Sequence, residues 1–196
     1  MTEMHRVVDY IVEYLARSGI DYIFGVDGAN IEDLYDAATL SPDIGAVAAK
    51  HEFSAATMAD GYSRSGGALG VMASTSGGGA LNLIPGLGES LASRVPVLAL
   101  VGQPPTVMDG RGSCEDTSGR NGSLNAEAVF SEVSVFCRRV LTPGDILSAL
   151  PAAMAAARTG GPAVLLLPKD IQRACVRING HAGEQGFERR AAIGDP

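Results

Sequence analysis

Short runs of apolar residues, each followed by a stretch with helical periodicity, constrain the fold of this chain more than any other sequence feature. The clearest apolar runs are residues 22–26, 44–48, 68–73, 95–101 and 162–167. Continuous apolar runs are typical of strands in a parallel sheet, because the connecting helices bury both faces of such a sheet. The sequence therefore predicts an α/β fold, a doubly wound three-layer sandwich around a mostly parallel sheet.

Helical periodicity is clearest near the start of the chain, where apolar residues recur over residues 7–15 and Gly19 follows as a helix C-cap. Asn30 is predicted to cap the N-terminus of a second, short helix. Further helices are predicted over residues 51–64, from the glycine cluster 77–79 through about residue 92, and over residues 148–158.

Two regions break this alternation. Residues 106–125 are rich in Gly, Ser, Asp and Asn, and a loop of that length inside a compact domain is usually functional or disordered. After about residue 175 the chain turns polar and loses periodicity. We therefore predict one domain over residues 1–175 and a polar C-terminal tail over residues 176–196, which is either flexible or wraps a partner.

Charge and hydropathy exclude several classes of function. The 196 residues carry a formal net charge of −7, whereas nucleic acids and anionic membranes bind surfaces rich in Lys and Arg. The longest apolar stretch, residues 96–101, is far too short to span a bilayer. Residues 1–17 are amphipathic and carry acidic side chains, so no signal peptide is predicted.

The cysteine pattern indicates a reducing compartment. Cys114, Cys137 and Cys175 are widely spaced and form no CxxC pair, so neither a zinc site nor a disulfide framework is indicated. We expect reduced thiols and a cytoplasmic location.

Three polar segments each follow a predicted strand and precede a predicted helix: residues 25–28, 50–52 and 75–79. Ligands in open α/β sheets bind beyond the carboxyl ends of the strands, so these segments together form the predicted site. Glycines at 77–79 allow the backbone to approach a flat ring or a phosphate, and a plain strand-to-helix turn explains them equally well. No Gly-Lys-Ser/Thr follows them, which excludes a Walker A loop, and the missing GxGxxG disfavours a nicotinamide cofactor.

Glu52 opens the predicted helix over residues 51–64, where the helix dipole favours a carboxylate. Taken alone, this position is better explained by helix capping than by catalysis, and the neighbouring His51 is equally explained by a capping or core role. The residues that follow change this interpretation, because the run HEFSAATMADGYSR is specific in order and spacing.

That run resembles the HE-x-x-A-A-x-x-A-D-G-Y-A-R signature of thiamine-diphosphate enzymes such as acetolactate synthase, benzoylformate decarboxylase and pyruvate oxidase. Four more segments are similar to motifs of this family in the same order. They are residues 24–30, FGVDGAN; residues 71–82, which include TSGGGALN; residues 95–103, VPVLALVGQ; and residues 161–170, GPAVLLLPKD. The resemblance covers residues 4–173, the whole of one family domain, and it is specific to fold and cofactor but not to substrate.

The resemblance identifies the chain as the family's N-terminal pyrimidine-binding (PYR) domain and implies roles for single residues. Glu52 matches the glutamate that hydrogen-bonds N1′ of the aminopyrimidine ring and so activates thiamine diphosphate for attack on a 2-oxo acid. Five further residues are implied to border the pyrimidine or to lie near the cleft: Gly28, Thr75, Gly78, Asn82 and Gln103.

Three departures from the family pattern concern the substrate side. Asp27 stands where the family has its first-turn proline, and Gly78 stands where it has the proline of T-S-G-P-G. The F-Q-E stretch of acetolactate synthases is not recognisable around residues 111–116. Acetolactate formation is therefore not assumed, and decarboxylation and carboligation both remain open.

The family's diphosphate motif, a G-D-G followed by an Asn about 25 to 30 residues later, supplies oxygen ligands to Mg²⁺ and is not found here. We expect no metal ligands in this chain and a separate diphosphate-binding (PP) subunit that holds Mg²⁺ in an α2β2 assembly, as in sulfopyruvate decarboxylase-like split enzymes. A fragment of a longer enzyme is the other explanation, and the starting Met1 and polar tail favour the split enzyme. Outside enzymes, the alternative is a non-catalytic or regulatory homologue that acts as an interaction subunit.

Overall fold

The structure is a computed structural model that describes residues 2–66 and 69–179. Its strands are β1 Thr2–Arg6, β2 Tyr22–Gly25, β3 Gly45–Ala48, β4 Gly70–Ser74, β5 Val97–Gln103, β6 Phe136–Arg139, β7 Pro162–Pro168 and β8 Cys175–Asn179. Its helices are α1 Val7–Arg17, α2 Glu32–Leu40, α3 Glu52–Arg64, α4 Gly77–Leu81, α5 Ile84–Ala92, α6 Ala126–Ser131, α7 Ile146–Arg158 and α8 Lys169–Arg173. No helix in these ranges is both long and apolar enough to cross a bilayer.

Six strands form one sheet in the order β3-β2-β4-β5-β7-β6, and every neighbouring pair is parallel. The chain changes direction across the sheet at β2, because β3 lies on one side of it and β4 on the other. Such a switch point opens a crevice at the carboxyl ends of the two diverging strands. The remaining strands, β1 and β8, form a separate antiparallel ribbon.

Helices cover both faces of the sheet, as the side chains of the central strand β5 demonstrate. Leu98 and Leu100 pack with α1, α2 and α7 on one face, whereas Val97, Ala99 and Val101 pack with α3, α5 and α6 on the other. All five side chains are fully buried, which explains why the strand reads as an uninterrupted apolar run. The predicted doubly wound α/β fold with a parallel sheet is confirmed.

Two helix ends agree with the sequence analysis and one differs. Gly19 follows α1 with φ +77°, and its amide donates to the carbonyl of Ala16. His51 caps α3, since its Nδ1 accepts from the amide of Phe53 at 3.1 Å. The prediction that Asn30 caps the second helix is wrong. The residue before α2 is Ile31, and the buried Asn30 amide binds a tertiary partner instead.

Two elements, α6 and β6, were not predicted from the sequence. The four residues of β6 are Phe-Cys-Arg-Arg, all half-buried at the edge of the sheet, so no apolar run marks the strand. Asn125 caps α6 by accepting from the amide of Ala128. Between residues 106 and 125 the chain forms a 3-10 turn at Thr106–Met108 and one isolated bridge from Ser118 to Asn125.

The predicted tail begins too early. Residues 176–179 belong to β8 and pair with β1, where Val176 is buried while Cys175 and Arg177 are exposed. One buried apolar side chain in a polar ribbon gives no periodic signal strong enough to identify a strand. The rest of the predicted tail, residues 180–196, lies outside the described residues, and the domain boundary at 175 stays a prediction.

Candidate functional site

The three polar segments singled out in the sequence emerge side by side at the switch point. Gly25, the last residue of β2, is paired with Ala48 of β3 on one side and with Ala73 of β4 on the other. The chain segments that follow these strands therefore leave the sheet at the same edge. They are the turn at 26–31, the start of α3, and residues 75–79.

Glu52 and Asn82 form the centre of this site. Glu52 is the first residue of α3, is only 9% exposed, and lies where the helix dipole stabilises negative charge. Asn82 follows α4, and its Nδ2 donates to Oε2 of Glu52 at 2.9 Å. Within the described parts of the chain, no hydrogen-bond partner is recorded for Oε1. One carboxylate oxygen is thus fixed by an amide, and the other is available to a ligand.

Glycines leave the space beside this carboxylate free. A Cβ at Gly79 would lie 2.9 Å from Oε1 of Glu52 and 2.8 Å from Cγ2 of Thr75, which is too close for any side chain. A Cβ at Gly28 would lie 2.8 Å from Cβ of Thr75, whereas a Cβ at Gly78 would meet no atom within 4 Å. The backbone of the first turn therefore packs directly on Thr75, and the glycine turn presents open backbone.

A polar network joins the first turn to the glycine turn. The backbone amide of Asn30 donates to Oγ1 of Thr75 at 3.3 Å, and its side chain donates to Oγ of Ser76 at 2.7 Å. Both hydroxyls donate to Oε2 of Glu115, at 3.5 Å from Thr75 and 3.2 Å from Ser76. Glu115 has φ +59° and packs where Gly77 lacks a Cβ. The long segment 106–125 thus reaches the site through one carboxylate.

Gln103 anchors that long segment. Its side chain is fully buried at the end of β5, and its Oε1 accepts from Oγ1 of Thr117 at 2.6 Å. Its Nε2 donates to the carbonyl of Gly102. Among the described residues no contact between Gln103 and Glu52 is recorded, so Gln103 acts on the segment that borders the site.

Two acidic side chains hold the same segment in place. Asp109 forms a paired ion bridge with Arg139 of β6, with N to O distances of 2.8 and 2.7 Å. The hydrogen bond to Asp109 raises the pKa of Arg139, so the bridge stays charged. Asp116 accepts from the amides of Gly110 and Ser118 at 2.8 and 2.9 Å. Residues 106–125 are an ordered cover next to the site.

Tyr35 lies behind the site and reports its negative charge. Its hydroxyl donates to the carbonyl of Ala73 at 3.2 Å and fills the space where Gly25 lacks a Cβ. Burial, followed by the charges of Asp27 and Glu52, raises the pKa of Tyr35 above its ordinary value. The phenol is therefore neutral at physiological pH.

The structure brings together four of the residues predicted for this site, Gly28, Glu52, Thr75 and Asn82, and leaves Gly78 beside open space. Sequence reasoning did not assign the contacts made by Ser76, Gly79 and Glu115. The glycine cluster gave a signal for Gly79. Nothing in the sequence pattern marks Glu115, because its partners lie 39 and 40 residues away.

A buried carboxylate with one oxygen held by an amide and the other beside a glycine turn can share a proton with a nitrogen heterocycle. A divalent metal requires several converging oxygen or nitrogen ligands. In residues 2–66 and 69–179, no group of three or more His, Cys, Asp or Glu side chains is arranged to hold a metal ion. The geometry suits proton exchange with a bound ring.

Comparison with known proteins agrees with this geometry. The family model for "Thiamine pyrophosphate enzyme, N-terminal TPP binding domain" matches residues 5–123. The chain is 35% identical over 164 residues to a probable acetolactate synthase large subunit of Methanocaldococcus jannaschii, which covers 83% of this chain and 26% of that protein. It is 33% identical over 174 residues to acetolactate synthase 1, chloroplastic, of Zea mays, which covers 88% and 26%.

A third relative is an uncharacterized 42.6 kDa protein from the isoamylase 3' region of Pseudomonas amyloderamosa. The two chains are 34% identical over 167 residues, which is 85% of this chain and 40% of the relative. The chain spans about a quarter of the length of the two synthases.

Proposed function

We propose, from the premise that this chain belongs to the thiamine pyrophosphate enzymes and carries their N-terminal binding domain, that it is the pyrimidine-binding subunit of a split enzyme acting on 2-oxo acids. In this proposal Glu52 activates thiamine diphosphate through N1′ of its aminopyrimidine ring. The reaction is decarboxylation, carboligation or both, by similarity to the acetolactate synthases among its relatives.

The observation that supports this role most directly is the pair formed by Glu52 and Asn82. The amide of Asn82 donates to Oε2 at 2.9 Å, so the carboxylate is held in one orientation within a buried site. Gly79 leaves the approach to Oε1 free, because even a methyl group there would touch that oxygen. A flat ring that offers a nitrogen to Oε1 fits this arrangement.

The residues of this chain bind, orient and exchange one proton. Glu52 holds or releases a proton at Oε1, opposite the ring nitrogen, while Asn82 keeps Oε2 from turning into that position. Gly28, Thr75 and Gly78 border the ring, and Gln103 acts through the segment that covers the site. When bound, thiamine diphosphate supplies a carbon nucleophile and an electron sink for the loss of CO₂ from a 2-oxo acid.

The diphosphate half of the site is assigned to a separate PP subunit, which also holds Mg²⁺, in a cytoplasmic α2β2 assembly. Three observations support this part of the proposal. The chain matches about a quarter of the length of the synthases, its sequence lacks the G-D-G motif, and no metal-holding cluster occurs among the described residues.

The test uses the chain together with a polypeptide of about 180 to 200 residues that carries the missing motif. Calorimetry measures thiamine diphosphate binding, in the presence of Mg²⁺, to this chain alone and to the assembled pair. CO₂ release and carboligation products from pyruvate and other 2-oxo acids are then followed. We expect tight binding and turnover only by the pair.

Two results would oppose the proposal. Tight cofactor binding by this chain alone would contradict the assignment of the diphosphate half to a partner. A partner that is fully active without this chain would instead support a regulatory or interaction subunit.

A further inference from the structure

The short helix α8 contacts both loops that build the site. It follows β7 directly and begins with Lys169 and Asp170 of the family-like P-x-D motif, which the proposed chemistry does not use. Three of its side chains, Lys169, Asp170 and Gln172, make hydrogen bonds to residues more than sixty positions away. One turn of helix therefore fixes two separate segments of the chain.

Gln172 holds the backbone of the first turn. Its side chain is fully buried, and its Nε2 donates to the carbonyls of Asn30 and Leu167, both at 2.7 Å. Its Oε1 has no hydrogen-bond partner among the described residues. A buried acceptor without a partner is costly, and an apolar side chain of similar size avoids that cost. The position is therefore explained by the two hydrogen bonds that Nε2 donates.

The carbonyl of Asn30 is confined from the opposite side by Gly102. A Cβ at Gly102 would lie 2.2 Å from this oxygen and 2.7 Å from its carbon. The amide nitrogen of Asn30 is bound by Thr75, and its side chain by Ser76. The peptide backbone at Asn30 is thus held by three elements at once, and Gln172 supplies the hydrogen bonds from α8.

Lys169 secures the residue just before. Its Nζ donates to the carbonyl of Ala29 and forms an ion pair with Glu32 in the first turn of α2. The hydrogen bond and charge of Lys169 lower the pKa of Glu32, so the pair stays ionised at neutral pH. Ala29 and Asn30 are therefore both held by α8.

Asp170 performs the same task for the other segment. Its carboxylate accepts from the amide of Thr106 at 3.0 Å and from the Thr106 hydroxyl at 2.5 Å. Thr106 is the first residue of the segment that reaches the site through Glu115. The neighbouring side chains of α8 therefore act on different loops, which makes their effects separable.

We propose that Gln172 and Lys169 are positioning residues that hold the turn 27–31 against Thr75 and Ser76, and so fix the wall of the site opposite Glu52. This inference goes beyond the known family assignment. Its catalytic meaning, though not its structural part, rests on the proposed function.

The first experiment is hydrogen exchange on the free chain, which requires neither cofactor nor partner. Gln172→Met is nearly isosteric and removes both donated hydrogen bonds. We expect the amides of residues 28–32 to exchange about tenfold faster, while those of α7 change by less than about twofold. Unchanged exchange at 28–32, or equal acceleration throughout the chain, would overturn the proposal.

Two companion variants keep the test decisive. Lys169→Met alters a partly exposed position and leaves the core intact if Gln172→Met does not fold, and it is expected to accelerate exchange at the same amides. Asp170→Asn is the matched control on the same turn, and it is expected to accelerate exchange near residue 106 but not at 28–32. Acceleration of both segments by Asp170→Asn would also contradict separate positioning.

The second experiment uses the assembled enzyme. A wall that positions the ring without touching reacting atoms affects cofactor binding and leaves turnover intact. Gln172→Met is expected to raise the half-saturating concentration of thiamine diphosphate about tenfold, with kcat at saturation within about twofold of wild type. A lower kcat with unchanged half-saturation would contradict the proposal. An inactive wild-type assembly would instead disprove the proposed function, and hydrogen exchange would still decide the positioning role.

Discussion

The side-chain amide of Asn82 donates to Oε2 of Glu52 at 2.9 Å, which joins the end of α4 to the first residue of α3. The two residues are 30 positions apart in the chain. Their contact depends on the switch point, because β3 and β4 flank β2 and direct both helices to the same edge. The fold therefore places an oriented carboxylate where open α/β proteins bind their ligands.

Asn82→Ala is expected to lower the kcat of the assembled enzyme by about 10- to 100-fold, since a hydrogen bond to a charged group contributes about 1.5–3 kcal/mol. Glu52 remains present but is free to rotate. CO₂ release from pyruvate measures the loss. Ser93→Ala, which removes an exposed hydroxyl at the end of α5, is the control with unchanged activity. Full activity of Asn82→Ala would contradict the orienting role.

Gly79→Ala is expected to reduce activity strongly while the domain still folds. The added methyl group would lie 2.9 Å from Oε1 of Glu52, so the carboxylate has to move away from the ring. Gly88→Ala is the matched control, because its Cβ meets no atom within 4 Å and it lies within α5. That control is expected to stabilise the fold by about 0.5–1 kcal/mol. Equal activity of the two variants would argue against a ligand beside Glu52.

The apolar runs and helical periods were sufficient to predict the parallel sheet, because both depend on neighbouring residues along the chain. They predicted β5 and α3 almost to their ends, whereas β6 was missed because two of its four residues are arginines. The position of Glu52 at a helix start was equally visible.

The contacts that shape the site were not predictable in this way. Asn30 was interpreted as a helix cap, but its side chain binds Ser76, 46 positions away, and its carbonyl binds Gln172, 142 positions away. Such pairs depend on which strands become neighbours in the sheet. Local sequence patterns contain no record of that order, so only the folded structure identifies these partners.

His51→Ala is expected to lower the free energy of unfolding by about 1 kcal/mol, because the cap at the amide of Phe53 is lost. For a domain of this size the corresponding decrease in Tm is roughly 2–4 °C. His51→Asn supplies another side-chain acceptor and is expected to recover most of the loss. Thermal unfolding followed by circular dichroism compares the three proteins, and identical Tm values would show that His51 does not act as a cap.

Cysteine reactivity tests the burial of β6. Burial raises the pKa of Cys137 to about 11, with a smaller opposing effect of a hydrogen bond to Ser131. Its reactive thiolate is therefore scarce below that pH, whereas Cys114 and Cys175 are exposed. At pH 8, two thiols are expected to react with a disulfide reagent rapidly and Cys137 more than about tenfold more slowly. Three equal rates in the folded protein would contradict the structure around β6.

The most direct measurement is CO₂ release from a 2-oxo acid by the assembled enzyme that carries Glu52→Gln, with thiamine diphosphate and Mg²⁺ at saturation. The glutamine keeps the size of the side chain but cannot hold an exchangeable acid proton at Oε1. We predict a loss of kcat of about 10²- to 10⁴-fold, the usual contribution of a positioned acid or base, with an unchanged Tm. Wild-type kcat in this variant would contradict the assignment of Glu52.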